Sequence, residues 1–227
     1  ALEQKGKRIC LDGGGSLRAT RVDVPRDISS AAFFMVAAAI TPGSDIFLPG
    51  IGINPSRFGI INILRLMGVR IDIYDSREIT GEPVADIRIR YQNLVGIDIP
   101  ASEVSSAIDE FPAIFIAAAC ASGITRLKGA SELRVKESDR LKAMADGLEI
   151  LGIETALTED GILVTGGQIG SGKINSHGDH RIAMAFTVSS LRANGPIQIN
   201  NCNNVATSFP NFIELAREIG LDIEIEE

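Results

Sequence analysis

The chain has 227 residues, 45% hydrophobic and 22% charged, with a formal net charge of −7. That length and apolar content allow one large domain or two small ones with a sizeable core. The acidic balance excludes a general nucleic-acid or membrane-surface binder, which would carry a basic excess, but leaves room for an anionic small molecule held by a few local cations. Cys10, Cys120 and Cys202 are odd in number, widely spaced and form no CxxC, so they read as reduced thiols of a cytoplasmic protein. Cys120 falls in the apolar run 113–121 and reads as a small core residue. The opening Ala-Leu-Glu-Gln-Lys carries no signal-peptide pattern, and the longest apolar run, 31–40, is too short to span a bilayer.

In chain order the periodicity predicts helix 29–40, Gly43, strand 45–48, helix 55–67, Gly68 and strand 69–74, with a further strand at 87–91. A second copy follows: helix 110–121, Gly123, strand 124–127, helix 135–151, Gly152, strand 153–157 and a further strand 161–165. A third runs helix 180–193, Gly195, strand 197–200, helix 209–219, Gly220 and strand 221–225. The two glycines of each copy are 25, 29 and 25 residues apart, a spacing that marks a repeat. Each glycine after a helix suits a C′ position with φ > 0. The second helix of a copy is amphipathic, as Leu141, Met144, Leu148 and Leu151 show. The predicted fold class is therefore α/β (α+β): three copies of a βαβαββ-like unit around buried, parallel helices.

The first helix of each copy is Ala-rich and apolar on most sides, so it belongs in the interior. Each begins near an aspartate, Asp27, Asp109 or Asp179, which reads singly as an N-cap. Helices at one phase of a repeat run parallel, and their N-termini open on one face. Each N-terminus carries about +0.5 of a charge, and such a face suits a phosphate or carboxylate ligand.

The densest charge cluster is Leu133-Arg-Val-Lys-Glu-Ser-Asp-Arg-Leu141. Glu137 and Arg140 are i,i+3 and are expected to share the first turn of a helix, with Lys136 just before them. Alone, the segment reads as a solvated helix start with local ion pairs. Asp179-His-Arg-Ile-Ala-Met184 shifts that reading, because His180 and Arg181 are the only titratable residues from there to Leu191. A cationic pair opening an apolar helix points toward a ligand.

Arg134-Val-Lys-Glu-Ser-Asp-Arg140 and Asp179-His-Arg-Ile-Ala-Met184 resemble two signature segments of the 5-enolpyruvylshikimate-3-phosphate synthase family of enolpyruvyl transferases. Asp27-Ile-Ser-Ser-Ala-Ala-Phe-Phe34 and Ser208-Phe-Pro-Asn-Phe212 match in the same order, so the resemblance covers nearly the whole chain. It implies transfer of an enolpyruvyl group from phosphoenolpyruvate to shikimate 3-phosphate with release of phosphate, and neither cofactor nor metal. One hydroxyl must lose a proton and one methylene carbon must gain one, which calls for two groups in different environments. By resemblance, Asp109 contacts the reacting hydroxyl, and Glu137 is the proton donor or its partner. Lys136 touches the shikimate-phosphate side. Arg140 and Arg181 clamp the phosphate and carboxylate of phosphoenolpyruvate, a planar task that favours Arg. His180 supports that pocket.

Two departures accompany the resemblance. Where many members carry Lys before the last Ser/Thr-Phe-Pro segment, this chain has Thr207. Members are also about twice as long, and the N-terminal half, with its Lys-Ser, Arg and Ser-Ser-Gln segments, has no counterpart here. Residues 1–24 resemble the tail of that missing domain, and 25–227 form the C-terminal domain. The chain alone is expected to bind weakly and turn over nothing.

Gly167-Gln-Ile-Gly-Ser-Gly-Lys173 has Walker-loop spacing, but Ile174 follows and no helix pattern does, so it reads as a hairpin loop; Gly13-Gly-Gly15 reads as a turn. His177 and His180 have HxxH spacing without a completing cysteine or carboxylate pattern. Glu110 and Glu132 read as structural. Three competing readings are a UDP-N-acetylglucosamine enolpyruvyl transferase, a non-catalytic fragment, and an RNA-processing enzyme of similar repeat architecture. The Lys-Glu-Ser-Asp-Arg and Asp-His-Arg segments argue against the first, and the net charge against the last.

Overall fold

In the computed structural model, residues 2–16 and 18–226 are described; Ala1 and Leu17, both within the 1–24 segment, and Glu227 lie outside the described residues. The chain starts with a hairpin, β1 (Leu2–Lys5) antiparallel to β2 (Arg8–Leu11). Both strands are exposed throughout, with Leu2 and Leu11 at 66% and 73%.

The repeat shows itself in matching sheets. The first unit runs α1 (Ile28–Ile40), β3 (Asp45–Gly52), a 3-10 turn (Pro55–Arg57), α2 (Gly59–Leu66), β4 (Arg70–Ile79) and β5 (Glu82–Arg90). After the short α3 (Ala101–Val104), the second runs α4 (Phe111–Ala119), β6 (Ile124–Leu127), a 3-10 turn (Ser131–Val135), α5 (Arg140–Ile150), β7 (Thr155–Leu157) and β8 (Ile162–Thr165). Both units build an antiparallel sheet with the last strand in the middle, β3-β5-β4 and β6-β8-β7.

The third unit is built differently. It comprises β9 (Gly172–Asn175), α6 (His180–Ser189), β10 (Ile197–Asn200), α7 (Asn204–Ser208) and α8 (Phe212–Glu218), and β9 pairs parallel with β10. Parallel neighbours need a crossover, here α6. The earlier units contain the same crossover in abbreviated form: Arg26 bridges Ile51 across α1, and Val95 and Asp98 bridge Ser122 and Arg126 across α4, all parallel. The unit thus begins with an extended segment before each buried helix, and only in the third is that segment a full strand.

Several expectations need correction. Residues 221–225 form no strand among the described residues. The glycine-rich segment 167–173 is not a hairpin loop; it leads into β9, whose partner lies beyond α6. Its glycines allow close packing on the end of α5, since a Cβ at Gly172 would sit 2.6 Å from Ile150 Cγ2. Gly43, Gly68, Gly123, Gly152 and Gly220 adopt φ between +79° and +99°, as C′ positions require, whereas Gly195 does not. Gly195 instead approaches Ser171, whose Cβ would be 3.0 Å from an added Cβ. The amphipathic helices at 55–67, 135–151 and 209–219 are shorter or broken; α5 starts only at Arg140, capped by the Asp139 side chain on the Lys142 N–H at 3.0 Å.

The core lies where α1, α4 and α6 pack on one another. All nine residues of α4 are buried, as are all of α1 except Ser30. Their many alanines let the backbones lie close together, and the interspersed Ile and Phe side chains each contribute about 1.5–3 kcal/mol when buried. The third unit closes back on the first: Phe212 of α8 lies 6.1 Å from Phe33 and 5.9 Å from Phe34 between ring centroids.

Candidate active site

The N-terminal ends of α1, α4 and α6 meet. Ser29 in the first turn of α1 bonds Glu110 at the start of α4, and Arg181 in the first turn of α6 reaches the Asp109 carbonyl at 2.9 Å. Asp27 caps α1 through the Ser29 and Ser30 N–H groups, and Asp179 caps α6 through the Arg181 N–H at 2.9 Å. Asp109 is not a cap; Glu110 holds that position in α4, without a capping side-chain bond, and Pro112 occupies the first turn. The Asp109 carboxylate is thereby left to face other side chains.

Three cations converge on Asp109. Lys136 Nζ and Arg140 Nη1 each lie 3.3 Å from its Oδ1, and Arg181 Nη1 donates to its carbonyl. Burial alone would raise the Asp109 carboxyl pKa, but the charges of Arg181, Lys136 and Arg140 outweigh it and hold it below the usual value. Lys136 is also 2.6 Å from Glu132, whose hydrogen bond, with the charge of Asp109, raises the lysine pKa against desolvation. Lys136 and Glu137 sit on the irregular segment before α5 rather than in its first turn. Glu137 still comes within 3.9 Å of Arg140 Nη2, and its Oε2 lies 2.8 Å from His180 Nδ1.

Arg140 is the least exposed of these residues, at 2%. Asp179, at 0%, accepts from its Nε at 2.8 Å and its Nη2 at 3.4 Å, and also from the Ser138 hydroxyl at 3.0 Å. This buried pair was not evident from the sequence, where Asp179 reads only as a cap. Arg181 is arranged differently. Its Nη1 is used by the Asp109 carbonyl and by Glu110 Oε1 at 3.4 Å, while no acceptor among the described residues bonds Nε or Nη2. One fork of the guanidinium is open to an anion.

All six residues singled out in the sequence, Asp109, Lys136, Glu137, Arg140, His180 and Arg181, therefore fall in one cluster at the helix N-termini. Sequence reasoning missed Arg57, whose Nη2 bonds Ser29. Thr207 is exposed on α7. Glu137, Asp179 and His180 bring ligand-type atoms within 4.8 Å of one another, a grouping the HxxH spacing did not reveal. Both oxygens of Asp179 already accept from Arg140, so the guanidinium supplies the positive charge at that point.

A set of guanidinium and ammonium groups at joined helix N-termini, in a repeated α/β domain, is the kind of surface that suits a small anion. Comparisons with known proteins place the fold in a family. The family model described as EPSP synthase (3-phosphoshikimate 1-carboxyvinyltransferase) matches residues 1–215. The chain is 63% identical over 220 residues to the 3-phosphoshikimate 1-carboxyvinyltransferase of Methylococcus capsulatus, covering 97% of this chain and 50% of that protein. It is 60% identical over 222 residues to that of Nitrosococcus oceani, covering 98% and 50%. The EPSP synthase structure from Acinetobacter baumannii superposes with a TM-score of 0.96 at 53% identity, over 100% of this chain and 53% of that one. The enolpyruvyl transferase NikO of Streptomyces tendae, at 20% identity and TM-score 0.70, over 88% and 44%, shares the fold. The chain belongs to the EPSP synthase family. It spans about half the length of the curated relatives it matches. No helix among the described residues is long and apolar enough to cross a membrane.

Proposed function

We propose that this chain is the C-terminal half of an enzyme that transfers the enolpyruvyl group of phosphoenolpyruvate to the 5-hydroxyl of shikimate 3-phosphate. Phosphate is released, and the product serves aromatic amino-acid biosynthesis. The observation that carries the reading is the convergence of Lys136, Arg140 and Arg181 on Asp109. Asp109, its pKa lowered by those cations, is ionised at neutral pH and is the group to accept a hydrogen bond from the reacting hydroxyl. Glu137, half-exposed and beside His180, supplies the second carboxyl group, as the proton donor to the methylene carbon or the partner of that donor. The open fork of Arg181 and the Nη1 side of Arg140 take the phosphate and carboxylate of the donor, and Lys136 takes the shikimate-phosphate side. His180 steadies Glu137.

On this reading, residues 1–24 are the end of the preceding domain and residues 25–227 the C-terminal domain. The exposed apolar residues of the β1–β2 hairpin, Leu2, Ile9 and Leu11, are consistent with an origin in another folding unit. The partner is the N-terminal half, and the cleft between halves is where both substrates are enclosed. The test joins this chain behind the first half of the Methylococcus capsulatus relative. The fusion protein should release phosphate from phosphoenolpyruvate only when shikimate 3-phosphate is present, and this chain alone should release none. Release with UDP-N-acetylglucosamine in place of shikimate 3-phosphate would favour the sister transferase. Normal turnover by the chain alone would refute the division of labour.

A further inference from the structure

Glu110 reads from the sequence as a structural neighbour of the site, and the structure gives it a more definite place. Its side chain is 3% exposed, a degree of burial that acidic side chains reach only with partners. Oε1 accepts from Ser29 Oγ, and Arg181 Nη1 lies 3.4 Å from the same residue's Oε1. Ser29 Oγ accepts in turn from Arg57 Nη2. The series Arg57, Ser29, Glu110, Arg181 runs from the 3-10 turn before α2, through the first turn of α1 and the cap of α4, to the first turn of α6. One carboxylate thus ties together the starts of all three buried helices.

Geometry gives this tie a consequence for ligand binding. An arginine side chain loses rotamer entropy when it is held in one pose. A single bond from Nη1 to the Asp109 carbonyl leaves the guanidinium free to swing about that contact. A second acceptor on the same nitrogen sets the plane of the group, and with it the direction of the Nε–Nη2 fork. Glu110 is that second acceptor. Ser29, itself held by Arg57, fixes the same Oε1 that faces Arg181, and burial keeps water from replacing that contact. Burial also pushes the Glu110 pKa up, opposed by the Ser29 bond and by the Arg181 and Arg57 charges.

We infer that Glu110 is a positioning residue: together with the Asp109 carbonyl it orients Arg181 so that the open fork of the guanidinium meets the anionic donor. The inference rests on the reading of Arg181 as a donor-binding group.

The test uses Glu110→Ala in the fusion protein described above. The KM for phosphoenolpyruvate should rise about tenfold, with kcat changed less than about threefold and the KM for shikimate 3-phosphate unchanged. Glu110→Gln, which keeps an acceptor, should restore most of the loss. In an Arg181→Ala background, Glu110→Ala should add nothing to the phosphoenolpyruvate KM. A parallel measurement on this chain needs no turnover: the Arg181 Nε–H should be more mobile by 15N relaxation in Glu110→Ala than in the parent. If the parent fusion is inactive, the functional reading fails while the relaxation measurement still decides the inference. The inference is overturned by an unchanged phosphoenolpyruvate KM in a folded variant, by a full tenfold loss recurring without Arg181, or by unchanged Arg181 mobility. Should Glu110→Ala fail to fold, Glu110→Leu, which fills the space without an acceptor, carries the test. A rise of about tenfold in the phosphoenolpyruvate KM then supports the inference, and no change overturns it.

Discussion

Asp179→Ala removes the partner of a buried cation, and the size of the loss follows from the contacts. Asp179 accepts two bonds from Arg140, one from Ser138 and one from the Arg181 N–H that caps α6. The alanine variant leaves Arg140, 2% exposed, with only Asp109 at 3.3 Å and Glu137 at 3.9 Å. Breaking a buried pair from one side costs about 3–5 kcal/mol, and a lost N-cap about 1 kcal/mol. The remaining contact to Asp109 offsets part of that sum, so the expected loss is about 4 kcal/mol. For a domain of this size each kcal/mol shifts Tm by about 2–4 °C, so Tm should fall by about 8–16 °C. Asp179→Asn keeps the cap acceptor and the side-chain volume and should lose about half as much. Thermal and urea denaturation of this chain, followed by circular dichroism at neutral pH, measure both variants. A Tm for Asp179→Ala within about 3 °C of the parent would refute the assignment of Asp179 as the group that stabilises the buried guanidinium.

Other outcomes are expected on the same grounds. Burial alone would raise the Asp179 pKa, but the Arg140 bond and charge, with Ser138 and the Arg181 N–H, hold it below 3.8. A depressed folded-state pKa gives stability that is present above the ordinary carboxyl range and is lost as pH falls through the lower folded value. The stability gap between the parent and Asp179→Asn should therefore narrow below about pH 4. Glu110 has the opposite sign: its pKa is raised above 4.5, so its contribution is full below that value and declines as pH rises. Denaturation of Glu110→Gln against the parent should show the variant gaining relative stability as pH rises above about 4.5. Gly147→Ala should cost about 1–3 kcal/mol by denaturation, because the added Cβ would sit 2.2 Å from Phe186 Cζ where α5 crosses α6. Burial pushes the Cys120 thiol pKa up to about 12, so thiol titration near pH 8 should label the exposed Cys10 and Cys202 quickly and Cys120 only after unfolding.

The repeat and its polarity were legible in local sequence pattern alone. Glycines at fixed spacing need left-handed φ at Gly43, Gly68, Gly123, Gly152 and Gly220 whatever surrounds them, and Ala-rich runs at 28–40 and 111–119 have no polar face to give to water. The same pattern also placed Asp109, Lys136, Glu137, Arg140, His180 and Arg181 near helix starts, because charged residues beside apolar helices have few other places to stand. What local pattern did not contain was which of them meet. Arg140 and Asp179 are 39 residues apart, and Ser29 and Glu110 are 81 apart. Only the packing of α1 on α4 and of α5 on α6 brings such distant positions within bonding distance. Gly195 and the glycines of 167–173 belong to the same group: their reason is a neighbouring backbone or side chain rather than a turn, and that neighbour comes from another element of the fold. Periodicity reports the face a residue shows, whereas long-range packing chooses its partner, and at this site the partners decide which charges are buried and which remain open to a ligand.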